Sequence, residues 1–193
     1  MSIKSGYLIR MLPAALVVAA LAGCSISTSK DNETGKDKNV DIRTPFGSLS
    51  VKQGASDAKE TGLTLYPGAQ IKKDMENDGS ANVNISSSFF GLKVVALKYQ
   101  TSDAPDKVVG FYRKDMSRYG KVIECTGGFN MNFHRHERDA EVSCNGHDGD
   151  HEYKQELKVG TEYNQRVIAV KPSGTGTEFA MVYVRAWDEK NTM

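Results

Sequence analysis

Four histidines fall in one window of the chain: His134, His136, His147 and His151, with Asp148 and Asp150 among them. Imidazole and carboxylate groups are the ligands that zinc and copper select. This is therefore the stretch whose residue types suit metal chemistry best. The spacing argues against it. His134 and His136 on a strand would share a face, but His147 and His151 straddle a glycine turn, and no standard ligand spacing is present. Solvated loop histidines are the better reading, with a metal-binding protein as the alternative, and no cofactor is assigned. Asn145 to Asp150 is rich in oxygen ligands but departs from the Asp-x-Asp-x-Asp-Gly pattern of a calcium loop.

Other chemistries find less. The nucleophile motifs Ser-x-x-Lys and Gly-x-Ser-x-Gly are absent. Ser173-Gly174-Thr175-Gly176 is glycine-rich, but it joins two expected strands and not a strand to a helix, which a phosphate-binding loop requires. An enzyme would have to work without a readable motif. The loop from Gly127 to Asp139 interleaves Phe129 and Phe133 with Arg135 and Arg138. Phe129, Phe133 and Arg135 are the candidate partner-binding residues. The plainer alternative is that the two rings close one end of the core.

Leu21-Ala22-Gly23-Cys24 ends an apolar run, Met11 to Leu21, that follows Lys4 and Arg10. The run is shorter than the ~20 residues of a spanning helix. A cationic start, an apolar middle and small residues at the end mark a cleaved export signal. The ending departs from the ordinary Ala-x-Ala pattern and resembles the lipobox of a bacterial lipoprotein signal peptide. That resemblance implies loss of residues 1–23 and a mature chain that starts at Cys24, lipidated with three acyl chains, palmitate among them. Ser25 in place of Asp implies outer-membrane delivery, facing the periplasm, in a bacterium with two membranes.

Cleavage would leave 170 residues of the 193, enough for one domain with a real core. Basic residues would fall from 25 to 23 against 24 acidic ones, moving the net charge from +1 to −1. A near-neutral surface gives no general attraction to nucleic acid or to anionic lipid heads, so attachment must come from the acyl chains. With Cys24 lipidated, Cys125 and Cys144 remain, and an even pair in an oxidising compartment is a disulfide candidate.

The positioning elements follow in order. Residues 24–39 hold one large apolar side chain, Ile26, and read as a flexible tether with an end-to-end distance of ~20 Å. Residues 40–62 read as a short β-hairpin turning at Thr44-Pro45-Phe46-Gly47, then a linker. Residues 63–188 form the main domain, and 189–193 a tail. Ala81, Val83 and Ile85 alternate with polar residues, as in a half-buried strand, and Phe89 to Gln100 reads as a central strand. Asp103 to Tyr119 is the clearest helix, with Ser102 or Asp103 as its cap and Val108, Tyr112 and Met116 on one stripe. The expected fold is α+β: an antiparallel sheet of about seven strands, the main helix (about 103–119) on one face, and a short hairpin ahead of it.

Tyr66-Pro67-Gly68-Ala69 and Val109-Gly110-Phe111-Tyr112-Arg113-Lys114 are similar to segments of uncharacterised bacterial envelope lipoproteins, over roughly residues 40–126. The resemblance implies a hairpin followed by a small α+β domain and carries no activity. The expectation is a non-enzymatic binding or structural module, anchored to the membrane by lipid, with an envelope protein, lipid or cell-wall partner.

Overall fold

Period-two alternation runs through most of the chain, and the backbone follows it. The computed structural model describes residues 24–30, 37–54, 57–72, 79–126, 139–144 and 153–188. Ten strands lie among them: β1 (Ser25–Lys30), β2 (Asp37–Thr44), β3 (Gly47–Gln53), β4 (Gln70–Ile71), β5 (Ser80–Ser87), β6 (Phe90–Thr101), β7 (Ile123–Thr126), β8 (Gln155–Thr161), β9 (Asn164–Ser173) and β10 (Gly176–Asp188). All belong to one antiparallel sheet, in the order β1-β2-β3-β5-β6-β10-β9-β8-β7, with β4 added to β6. The only α-helix among the described residues, α1, spans Pro105–Met116 and runs into a 3₁₀ turn, Ser117–Tyr119.

The architecture is therefore mainly β. This corrects the α+β expectation of about seven strands and a main helix over 103–119. The difference arises at the hairpin β2–β3. A lone hairpin is marginal in water. Here Leu49 pairs with Ile85 and Val51 with Val83, so β3 joins β5 and the hairpin becomes part of the sheet. Residues 25–30, expected within a polar tether, form β1 and pair with β2 from Ser25↔Arg43 to Ser29↔Asn39. An edge strand needs backbone partners more than a core, and a Ser/Thr-rich segment can supply them.

Helix α1 lies on one face of the sheet. Its Val108, Val109, Tyr112 and Met116 are buried against Leu97, Leu157, Ile168, Phe179 and Met181. Phe179 stacks on Tyr99 at 5.6 Å, and Tyr66 meets Phe111 edge-on at 5.1 Å. The Tyr66 amide donates to Tyr112 Oη at 3.2 Å, and burial pushes the Tyr112 phenol well above its ordinary value. Ala104 caps the helix without a side-chain bond, and Pro105 opens it. Asp103 instead accepts from Lys107 Nζ at 2.7 Å and Tyr66 Oη at 2.9 Å, which lowers its pKa.

The opposite face carries a second cluster: Val167, Ala169, Ala180, Val182 and Val184, with Leu92, Val94 and Ala96 against it. Glu156 and Lys158 of β8 are buried on this side, paired at 3.2 Å. Ladder partners continue the apolar pattern across the sheet, since residues directly opposite share a face. One row runs Ile26–Ile42–Leu49–Ile85–Leu92–Ala186.

Candidate functional site

Cysteine chemistry is the part of the expected site that can be placed. Cys125 Sγ and Cys144 Sγ form a disulfide, with Cα atoms 5.3 Å apart and a sequence separation of 19. It fastens residues 139–144 to the sheet edge. There Val142 N donates to Gly160 O at 3.1 Å, and Glu162 N to Ala140 O at 3.0 Å. His134, His136, His147, His151, Asp148, Asp150, Phe129, Phe133 and Arg135 lie outside the described residues. Among the described residues no group of three or more His, Cys, Asp or Glu side chains could hold a metal ion.

The most developed polar cluster was not singled out from sequence. Gln70, Gln100, Glu178 and Lys171 are opposite one another on β4, β6, β10 and β9. The Glu178 carboxylate is buried. It accepts from Lys72 Nζ, and its other oxygen receives Lys171 Nζ at 3.1 Å and Tyr153 Oη at 3.2 Å. Desolvation raises its pKa, but the bonds to the two lysines outweigh this and hold it below the ordinary 4.5. A carboxylate kept ionised between two ammonium groups is a poor proton donor and a poor base near neutrality. Its evident work is to tie β4 and β9 to β10. It was hidden because Thr177-Glu178 lies just ahead of the apolar run that begins at Phe179.

A cleft of about 350 Å³ opens beside it, lined by Gly68, Gln70, Gln100, Thr101, Ser173 and Thr177. The Thr177 hydroxyl donates to Asp103 O at 2.6 Å, so it is committed to the fold. Among the described residues no histidine, cysteine or carboxylate lines this cleft.

The other end of the sheet is built from different residues. Cys24 is exposed and directly precedes Ser25, whose partner is Arg43, so it sits beside Thr44. The β2–β3 turn, Pro45-Phe46, projects from the same end. So does the β5–β6 turn, Ser88-Phe89, because Gly47 pairs with Ser87. Phe46 is 82% exposed, Phe89 73% and Phe90 42%. Trp187 closes this end on the helix side. It lies across Gly91, where an added Cβ would collide with the indole. No helix among the described residues is long and apolar enough to cross a membrane.

No protein-family model, no curated protein and no solved structure matches this chain.

Proposed function

We propose that this protein is a bacterial envelope lipoprotein, anchored through acyl chains on Cys24, whose folded part is a non-enzymatic binding or structural module. The observation that carries the reading is Leu21-Ala22-Gly23-Cys24, placed after a cationic start and a short apolar run. Three features support it. Cys24 is exposed at the start of the edge strand β1, open to modification. The Cys125–Cys144 disulfide suits an exported protein, since oxidising compartments preserve such bonds. The best-formed polar cluster serves the fold and leaves no acid–base pair.

Within a two-membrane envelope, Ser25 after the modified cysteine favours the outer membrane, with the module in the periplasm. The test is expression of the full chain in its bacterial host, followed by membrane fractionation and mass spectrometry of the N-terminal peptide. The reading expects a chain that starts at an acylated Cys24 and a Cys24→Ser protein that leaves the membrane fraction. A chain retaining residues 1–23 with unmodified Cys24, or a Cys24→Ser protein that stays with the membrane, would contradict it.

A further inference from the structure

Among the described residues the exposed aromatic side chains are not scattered. Cys24, the Pro45-Phe46 turn and the Ser88-Phe89 turn all lie at one end of the sheet, on adjacent strands. With neighbouring strands about 4.8 Å apart, the two turns are about 10 Å from each other and Cys24 is about 7 Å from the nearer one. Alternation from Ile26 places Cys24 on the face that carries Ile42, Leu49, Ile85, Leu92 and Phe90. Ile26 itself is 71% exposed.

Charge is sparse in the same region, where Arg43 beside Ser25 and Asp188 opposite Phe90 are the exceptions. None of residues 24–29, 44–51 and 79–92 is charged, in a chain of which 25% is. Serine, threonine and asparagine supply the polarity instead. A surface poor in charge with projecting rings leaves water at lower cost than a charged one, and the long Arg43 side chain can keep its guanidinium at the level of the lipid headgroups. Contiguous exposed apolar groups of this kind mark a contact with a partner or a membrane.

Resting on the reading that Cys24 is lipidated, we infer that this end of the sheet, led by Phe46, Phe89 and Phe90, is seated in the interface of the bilayer that holds the acyl chains. The occupant follows from the position of Cys24. Acyl chains on that residue bring the bilayer to within a few strand spacings of the rings, and β1 pairing from Ser25 onward leaves no slack to move the sheet end away. Amphipathic surfaces bind such interfaces by burying apolar side chains at the headgroup boundary. The anchor then fixes an orientation as well as an address. The opposite end of the sheet, with its polar cleft and the Gly174-Thr175 turn, faces away from the membrane.

The test uses the acylated full-length protein in phosphatidylethanolamine–phosphatidylglycerol vesicles, with and without brominated acyl chains. Phe46→Trp and Phe89→Trp add a reporter at exposed turn positions, Thr175→Trp adds one at the far end, and the chain's single tryptophan, Trp187, gives a common background. The added emission from Phe46→Trp and Phe89→Trp should shift to the blue and be lost with brominated chains, while that from Thr175→Trp should not. Added emission that stays red and unquenched would put the tips in water and overturn the inference. Blue-shifted but unquenched emission would mean that protein, such as a second copy of the chain, covers them, and would also overturn it. Mass spectrometry of the same sample separates the two claims. Acylated Cys24 with unquenched tips sinks only the orientation, whereas unacylated Cys24 sinks the anchor and the orientation together.

Discussion

The two halves of the sheet share one hydrogen-bond ladder but are held in different ways. In β6, β10, β9 and β8 both faces are covered: α1 seals one side, and Val167, Val182 and Val184 are buried on the other. In β1, β2, β3 and β5 no apolar side chain is fully buried, and the largest exposed ones gather near the turns. The contrast assigns stability to the first half and, under the proposed anchoring, contact to the second. A surface meant to meet something must stay only partly satisfied by its own chain, so the cost of keeping rings in water is carried by the covered half.

Substitutions should separate the halves sharply. Phe179→Ala removes a fully buried ring in contact with Tyr66, Tyr99 and Tyr112. It should cost about 3–5 kcal/mol in chemical denaturation. Lys158→Ala removes the buried ammonium that pairs with Glu156 at 3.2 Å and should cost about 3 kcal/mol by the same measurement. Replacing Cys125 and Cys144 together by serine should lower stability by about 3 kcal/mol under non-reducing conditions, less if the open chain stays partly ordered. In the other half, Val51→Ala should cost about 1 kcal/mol, and Phe46→Ala should stay within about 0.5 kcal/mol of the parent. If Phe46→Ala destabilised as much as Phe179→Ala, the division of labour would be wrong.

Acid gives a finer contrast within the covered half. Glu178 is held below its ordinary 4.5 by Lys72 and Lys171. A lowered carboxylate pKa means that its stabilisation is present above pH 4.5 and is lost as pH falls through the folded value. Replacing both lysines by methionine should therefore flatten the decline in melting temperature below pH 4.5. An unchanged slope would show that Glu178 is not the group responsible.

The covered half was the more legible of the two. Val108, Tyr112 and Met116 recur at helical spacing, and all three are buried in α1. Phe89 to Gln100 reads as a central strand, and β6 spans Phe90–Thr101. What stayed hidden depends on partners distant in sequence. Nothing local in Leu49 or Val51 says that they will meet Ile85 and Val83, yet that pairing merges hairpin and sheet and makes the fold mainly β. β1 was invisible because Ser-Ile-Ser-Thr-Ser lacks apolar bulk and is ordered through its ladder with β2. Asp103 sits where a cap belongs, but its carboxylate goes to Tyr66 and Lys107. The aromatic end was readable only as isolated phenylalanines, since register brings Phe46, Phe89 and Cys24 together.

Under the proposed anchoring, hydrogen–deuterium exchange on the full-length protein in vesicles, compared with its Cys24→Ser form, tests the contrast most directly. Residues 44–51 and 84–92 should exchange more slowly on vesicles, while residues 155–186 should exchange alike in both. Equal exchange at the two turns, or added protection confined to 155–186, would contradict the assignment of contact to the open half of the sheet.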